Sequence, residues 1–178
     1  MDNNQLIEQV ETFARPFCDQ CSDDPNLWKT HVQLVRKYAL MLAEIEVVDS
    51  QVIEFAALLH DIGRYKGQEE HNLRSYELSK QFLETIDLPE GTKGLILECV
   101  LKHSTRYSSS DNKIEVRVLQ SADALATLFD EDLQEYSRRT MPKETINQLH
   151  SRVMRKISLD SARRIAEPQI AKLKALLN

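Results

Sequence analysis

Glycine and proline are scarce, at four and five residues in a chain of 178. With so few backbone breakers, and with apolar residues returning every three or four positions, the chain reads as all-α and a sheet is disfavoured. Long apolar runs are missing as well: no segment approaches the roughly 18 consecutive apolar residues of a membrane-spanning helix. The opening MDNNQLIEQ has neither a basic nor an apolar leader region. A cytoplasmic protein with no membrane partner is the expectation. Sulfur is sparse, since Cys18, Cys21 and Cys99 form an odd set that reads as reduced thiols. CDQC has the spacing of half a zinc site, but no second pair accompanies it, so packing is the simpler role.

Basic charge is also short. The net charge is −5, with 8 basic and 16 acidic groups in residues 1–89 and 15 basic and 12 acidic in residues 90–178. Binding to duplex or RNA shows as a concentrated basic stripe, which neither half carries. Polymeric nucleic acid is therefore not an expected partner, whereas a small anionic ligand remains open. No internal repeat or low-complexity linker divides the chain, and 42% apolar with 29% charged residues suits one compact domain.

What is there is helical periodicity. It predicts helices over about residues 4–17, from Pro25 behind an Asp24 cap, from about Asp49, and over about 71–86, 92–104, 113–129, 142–157 and 160–177. Val35, Tyr38, Leu42 and Ile45 share one side of the second helix, and His31 continues that stripe. The third helix turns Val52, Phe55, Ala56 and Leu59 inward and ends in HDIG, where Gly63 is expected in the left-handed conformation that follows many helix ends. Ile96, Cys99 and Val100 lead to His103, and Leu119 and Ala126 flank Asp123. Pro168 is expected to kink or break the last helix, and RYSSSDN, residues 106–112, is the expected loop.

His31, His60, Asp61, His103 and Asp123 thus come from four helices, on or beside faces that should be buried. One histidine on an apolar face is ordinarily a hydrogen-bonded core residue. Here four of the five histidines fall at helix ends or faces suited to a metal site in a bundle core. Burying such groups without partners is costly, and a cation is the simplest partner.

The order His31, His60-Asp61, Asp123, with ALLHDIG around the doublet and SADAL around the last aspartate, resembles the HD-domain superfamily of metal-dependent phosphohydrolases over about residues 28–130. The resemblance implies an all-α, HD-domain-like bundle of about seven or eight helices. Residues 1–178 would form a single HD-type domain, with the helices of residues 142–177 packed on its motif-bearing core. It implies that His31, His60, Asp61 and Asp123 hold a divalent metal, with His60 and Asp61 catalytic. A metal-activated water would then cleave a phosphate ester or anhydride of a small metabolite, nucleotides being the expected class. In two-metal members further histidines hold a second ion, and His71 and His103 stand where those residues should stand. Imidazole and carboxylate donors without thiolate suit Fe, Mn, Co, Ni, Zn or Mg. KHSTR also resembles a short stretch of the bacterial HD proteins that split diadenosine tetraphosphate symmetrically, which favours a dinuclear site without naming a substrate.

Two departures stand out. HD proteins often carry Arg or Lys after the last aspartate, where this chain has Ala124, and the GYP signature of cyclic-di-GMP phosphodiesterases is absent. Phosphate contacts must then come from elsewhere. Arg64 and Lys66 follow the doublet and Arg106 follows His103, each with solvated surface charge as its alternative. Ser75 shares the face of His71 and is placed to meet a phosphate or a metal-bound water, with a local cap or packing role as the preferred reading. Trp28, Tyr65, Tyr76 and Tyr107 read as core before base-stacking, and His150 as structural. The rival readings are a catalytically silent HD module that senses a nucleotide, and a helical protein with a structural metal. The complete ligand set favours the hydrolase. Residues 130–178 are free either to cover the site or to form a homodimer surface.

Overall fold

The computed structural model describes residues 2–177. Nine α-helices run through them: α1 (Asn3–Asp19), α2 (Gln33–Glu46), α3 (Ser50–Leu59), α4 (His71–Leu83), α5 (Glu90–Lys102), α6 (Ile114–Phe129), α7 (Glu131–Thr140), α8 (Lys143–Lys156) and α9 (Asp160–Leu177). No strand occurs among the described residues, so the all-α expectation holds.

Local chemistry sets several of the starts. Asp2 and Gln5 cap α1 reciprocally, each side chain accepting from the other's backbone N–H, at 2.9 and 3.2 Å. The Asp49 carboxylate accepts from the N–H groups of Gln51 and Val52 to open α3. Two helices form the centre. α3 is buried at every position from Val52 to Leu59. α6 is buried almost all round, and small Ser121, Ala122, Ala124 and Ala126 let its neighbours approach closely. α2 packs on both of them, α5 fills the other side of α3, and α8 and α9 lie against α6. Among apolar residues, Arg36 of α2 ties three helices together: its Nε and Nη2 donate to Glu54 Oε1 of α3 at 2.9 and 2.6 Å, and its Nη1 to Glu11 Oε1 of α1 at 2.6 Å.

Several expectations need correction. α7 was not among the predicted helices, because EDLQEYSRRT is too polar to show an apolar stripe. Its signals are electrostatic: Asp130 Oδ1 accepts from Leu133 N–H at 2.9 Å, acidic groups open it and Arg138 and Arg139 close it. Ile45 does not share the buried side of α2; it is 50% exposed, in the last turn before Val47 reverses the chain at φ 56°. Pro168 does not break α9, because it lies on the exposed face while Ala162, Ala166 and Leu173 hold the helix down. Gly63 is not left-handed; the glycine with positive φ is Gly67, at 94°.

Candidate metal centre

The reason for glycine at position 63 is crowding. A Cβ there would lie 2.3 Å from the backbone oxygen of His71 and 2.7 Å from the nitrogen of Ser75. The turn after α3, a 3-10 segment from Ile62–Lys66, is pressed against the start of α4 and fastened to it. Gly63 N–H donates to Ser75 Oγ at 2.9 Å, and Arg74 Nε donates to the Gly63 carbonyl at 2.9 Å. Ser75 thus packs against the turn before α4 and caps no helix. The same contact carries His71, the first residue of α4, up to Asp61. His31 enters on a π-helical turn, Trp28–Val32, immediately before α2. His103 caps the end of α5, and Asp123 lies in the buried middle of α6.

All six expected metal residues meet at one place. Asp61 is the hub. Its Oδ2 lies 3.5 Å from His31 Nε2 and 3.6 Å from His60 Nε2, while its Oδ1 lies 3.3 Å from His71 Nε2 and 3.5 Å from His103 Nε2. Within each of the sets His31–His60–Asp61 and Asp61–His71–His103, one donor atom per residue falls within 4.8 Å of the others. Each set could hold a metal ion, and they share Asp61. Asp123 adds Oδ1 at 3.2 Å from His31 Nε2.

Hydrogen bonding decides how these rings face one another. His60 Nδ1 lies 2.8 Å from the Ala57 carbonyl, His71 Nδ1 2.7 Å from that of Gln68, and His103 Nδ1 2.7 Å from that of Val100. A carbonyl only accepts, so each Nδ1 carries the proton and each Nε2 presents a lone pair. Yet His71 Nε2 and His103 Nε2 are 3.0 Å apart, and His60 Nε2 and His31 Nε2 are 3.4 Å apart. Protonation does not relieve this easily. Burial pushes the imidazoles of His31 and His71 below their ordinary value and that of His60 well below it, against the pull of Asp61. Burial alone would raise the Asp61 carboxyl, but His60, His103, Arg64 and His71 around it hold it well below the carboxylate range. Neutral imidazoles with converging lone pairs around one carboxylate form a donor set that fits a divalent cation.

The cluster opens into a cavity of about 460 Å³ lined by His31, Asp61, His71 and Asp123, with Ser104, Thr105, Thr127 and the face of α8 that carries Leu149, Arg152, Val153 and Lys156. Arg64 and Arg106 line it as the sequence suggested. Arg64 is not a free cation: its Nη1 lies 3.4 Å from Asp61 Oδ2 and its Nη2 3.6 Å from Asp23 Oδ2. Lys66 is corrected; it is exposed, lies over the Tyr65 ring at 5.3 Å and does not line the cavity. Its turn points it outward while Arg64, two residues earlier, points in. None of Trp28, Tyr65, Tyr76 and Tyr107 lines the cavity either. Tyr65 meets Phe17 edge-on instead, and Trp28 and Tyr76 pack against the core. His150 lies away from the cluster, 3.2 Å from Gln134 Oε1. Cys18 and Cys21 are buried free thiols, pushed up by burial to about 12 and about 11, and the Cys21 thiol donates to Asp23 Oδ1 at 2.8 Å.

The residue the sequence reading missed is Lys156. It is buried, its ammonium is paired with Asp123 Oδ2, and burial pushes it down to about 8. The available signal was a lysine in register with Leu149 and Val153 on an otherwise apolar stripe.

The family model for the HD domain matches residues 28–128, more than half of the chain and the whole span from His31 to Asp123. The chain belongs to the HD-domain family. No curated protein and no solved structure matches it. No described helix is long and apolar enough to cross a membrane.

Proposed function

We propose that the protein is a metal-dependent phosphohydrolase acting on a small phosphorylated metabolite, with nucleotides the leading class. The observation that carries the reading is the pair of facing Nε2 lone pairs on His71 and His103, 3.0 Å apart beside Asp61 Oδ1. An arrangement that repulsive without a cation is one that a cation stabilises. His31, His60, Asp61 and Asp123 would hold one divalent ion, and His71 and His103 with the other oxygen of Asp61 a second. A bound ion supplies Lewis acidity toward water and toward a phosphoryl oxygen.

The chain's own groups do the rest. Asp61, its carboxyl held well below the ordinary range, would hold the two donor sets in register and orient the attacking water. The backbone carbonyls of Ala57, Gln68 and Val100 fix the tautomer of three imidazoles so that none needs to reorient. Arg64 and Arg106 face the cavity and can offset charge on the phosphoryl oxygens. Its size suits a small molecule, and no basic track leads away to guide a polymer.

A neighbouring cavity of about 520 Å³ supports the nucleotide class. It shares His31, Arg64, Gln68 and Thr127 with the first and adds Asn26, the carboxylates of Asp23, Asp24, Asp130 and Asp132, and the exposed ring of Tyr136. Tyr136 offers a stacking face for a base, and the carboxylates, which suit no phosphate, and the amide offer partners for its edge. The likeness of KHSTR to the enzymes that split diadenosine tetraphosphate makes dinucleoside polyphosphates a natural part of any screen.

The test is elemental analysis of protein purified without chelator, followed by a phosphate-release screen over mononucleotides and dinucleoside polyphosphates with each metal restored. Metal-dependent release is expected. Bound metal with no turnover of any small phosphate would replace the hydrolase with a nucleotide-sensing module.

A further inference from the structure

Lys156 is an expensive residue to bury, and Asp123 uses only part of it. An ammonium has three donors. One goes to Asp123 Oδ2, and among the described residues no other hydrogen-bond acceptor is recorded for it. The side chain nevertheless lines the cavity into which the donor cluster opens.

The position of Lys156 is fixed by its backbone. Ser121 Oγ of α6 donates to the Lys156 carbonyl at 3.4 Å. Just beyond, Arg117 of α6 donates from Nε to Ser158 Oγ and from Nη2 to the Ser158 carbonyl, both at 3.1 Å. The helix that carries Asp123 therefore also clamps the end of α8.

Asp123 divides its two oxygens between neighbours. Oδ1 faces His31 Nε2 at 3.2 Å and Oδ2 faces the ammonium. Lys156 thus leaves free the oxygen on the donor-cluster side. An anion resting between that cluster and the ammonium would meet unused donors on the far side. Arg152, one helical turn earlier on α8, faces the same cavity, with Leu149 and Val153 as an apolar wall beside it.

We propose that Lys156 is a catalytic residue whose ammonium, set between Asp123 and the cavity, hydrogen-bonds a non-bridging phosphoryl oxygen of the bound substrate. The assignment rests on the hydrolase reading for its catalytic part and on phosphate recognition alone for its binding part. It makes α8, which lies beyond the segment matching the HD family, part of the reaction centre.

The experiment uses the full metal-loaded chain and inorganic phosphate as the probe. Lys156→Met should keep the wild-type metal content, weaken phosphate binding in calorimetry by 10-fold or more, and lower kcat on the best substrate by about 100-fold or more. Lys156→Arg should recover part of both losses. Wild-type phosphate affinity in a metal-loaded Lys156→Met protein would overturn the proposal and leave Lys156 as the counter-ion of Asp123. If that variant does not fold, the side-chain resonances of lysine in the wild-type protein decide. Phosphate should shift the signal of Lys156 and leave that of Lys66 in place, whereas no shift at Lys156 overturns the proposal. The two readings separate cleanly. Phosphate held by Lys156 with no hydrolysis removes the enzyme and keeps the contact, while hydrolysis indifferent to Lys156 removes the contact and keeps the enzyme.

Discussion

The Arg36 cluster and the Asp61 cluster solve the burial of charge in opposite ways. Around Arg36, three guanidinium donors meet the carboxylates of Glu54 and Glu11 at 2.6 to 2.9 Å, each donor on an acceptor. Around Asp61, acceptors predominate: two carboxylate oxygens and the Nε2 atoms of His60, His71 and His103, whose Nδ1 protons go to backbone carbonyls. The first is complete within the protein and joins α1, α2 and α3. The second is assembled from the turn before α2, the ends of α3 and α5, the start of α4 and the middle of α6, and its cations stand at the edge, Arg64 at 3.4 Å from Asp61 and Lys156 on the far oxygen of Asp123. A satisfied cluster fastens a fold; an unsatisfied and deeper one is a candidate binding site.

The sharpest way to break that comparison is to cut each hub. Asp61→Ala or His60→Ala should reduce metal content and bring metal-dependent phosphate release to background while helicity, read by circular dichroism, persists. Arg36→Ala should do the reverse. It strands the buried Glu54 carboxylate at a cost of about 3 kcal/mol in unfolding free energy, and the folded fraction should still bind metal. Full turnover by an Asp61→Ala protein, or metal loss by folded Arg36→Ala, would erase the distinction.

A second pair of variants asks whether the unsatisfied cluster is one site or two. Replacing His71 or His103 with alanine should lower bound metal from about two ions per chain toward one, with a sharp fall in turnover. One ion in the wild type, unchanged in both variants, would make these histidines water or phosphate contacts instead.

Gly63→Ala attacks the same half of the site from behind. The new methyl must displace the first turn of α4, because the His71 oxygen and Ser75 nitrogen are backbone atoms that have no rotamer to escape into. Thermal unfolding should show a loss of about 1–3 kcal/mol, accompanied by weaker binding of the ion that depends on His71. A stable variant with unaltered metal content would mean that α4 is free to shift without moving the donor.

How much of this was legible beforehand follows the range of the forces. Caps and periodic stripes are local, so Asp49 and most helix bounds were readable; Asp24 is corrected, since it accepts from Asn26 N–H in a turn and the helical segment begins at Trp28, with no side-chain cap. The residues of the donor cluster were readable too, because a histidine or aspartate on an apolar stripe is visible without knowing what faces it. Lys156 was not, since its partner Asp123 is 33 residues away and comes from another helix. Gly63 announced that a glycine was required but not why: a helix-ending turn and a close approach leave the same letter. Lys66 and Arg64 differ only in the direction their short turn gives each side chain, and α7 is held by charge and capping rather than by the apolar pattern that was sought.

The metal-free protein should also depend on pH, with a sign that follows from burial. The imidazoles of His31, His60 and His71 titrate lower when folded than in the unfolded chain, where the ordinary value is about 6.5. Above that value neither state binds the proton and burial of the neutral rings goes unopposed. As pH falls below it, the unfolded chain takes up protons that the folded chain refuses, so stability declines until each folded pKa is passed. The slope is about 1.4 kcal/mol per pH unit for each histidine involved. Asp61 behaves differently: its carboxyl is held low in the fold, so its contribution is lost only in more acidic solution. Urea unfolding of chelator-treated protein from about pH 7.5 to about pH 5 should show the decline, with His60→Ala reducing the slope and Arg36→Ala leaving it unchanged, because its cluster contains no imidazole. A flat profile, or an equal slope in His60→Ala, would mean that the rings are charged in the fold and that their facing nitrogens do not await a cation.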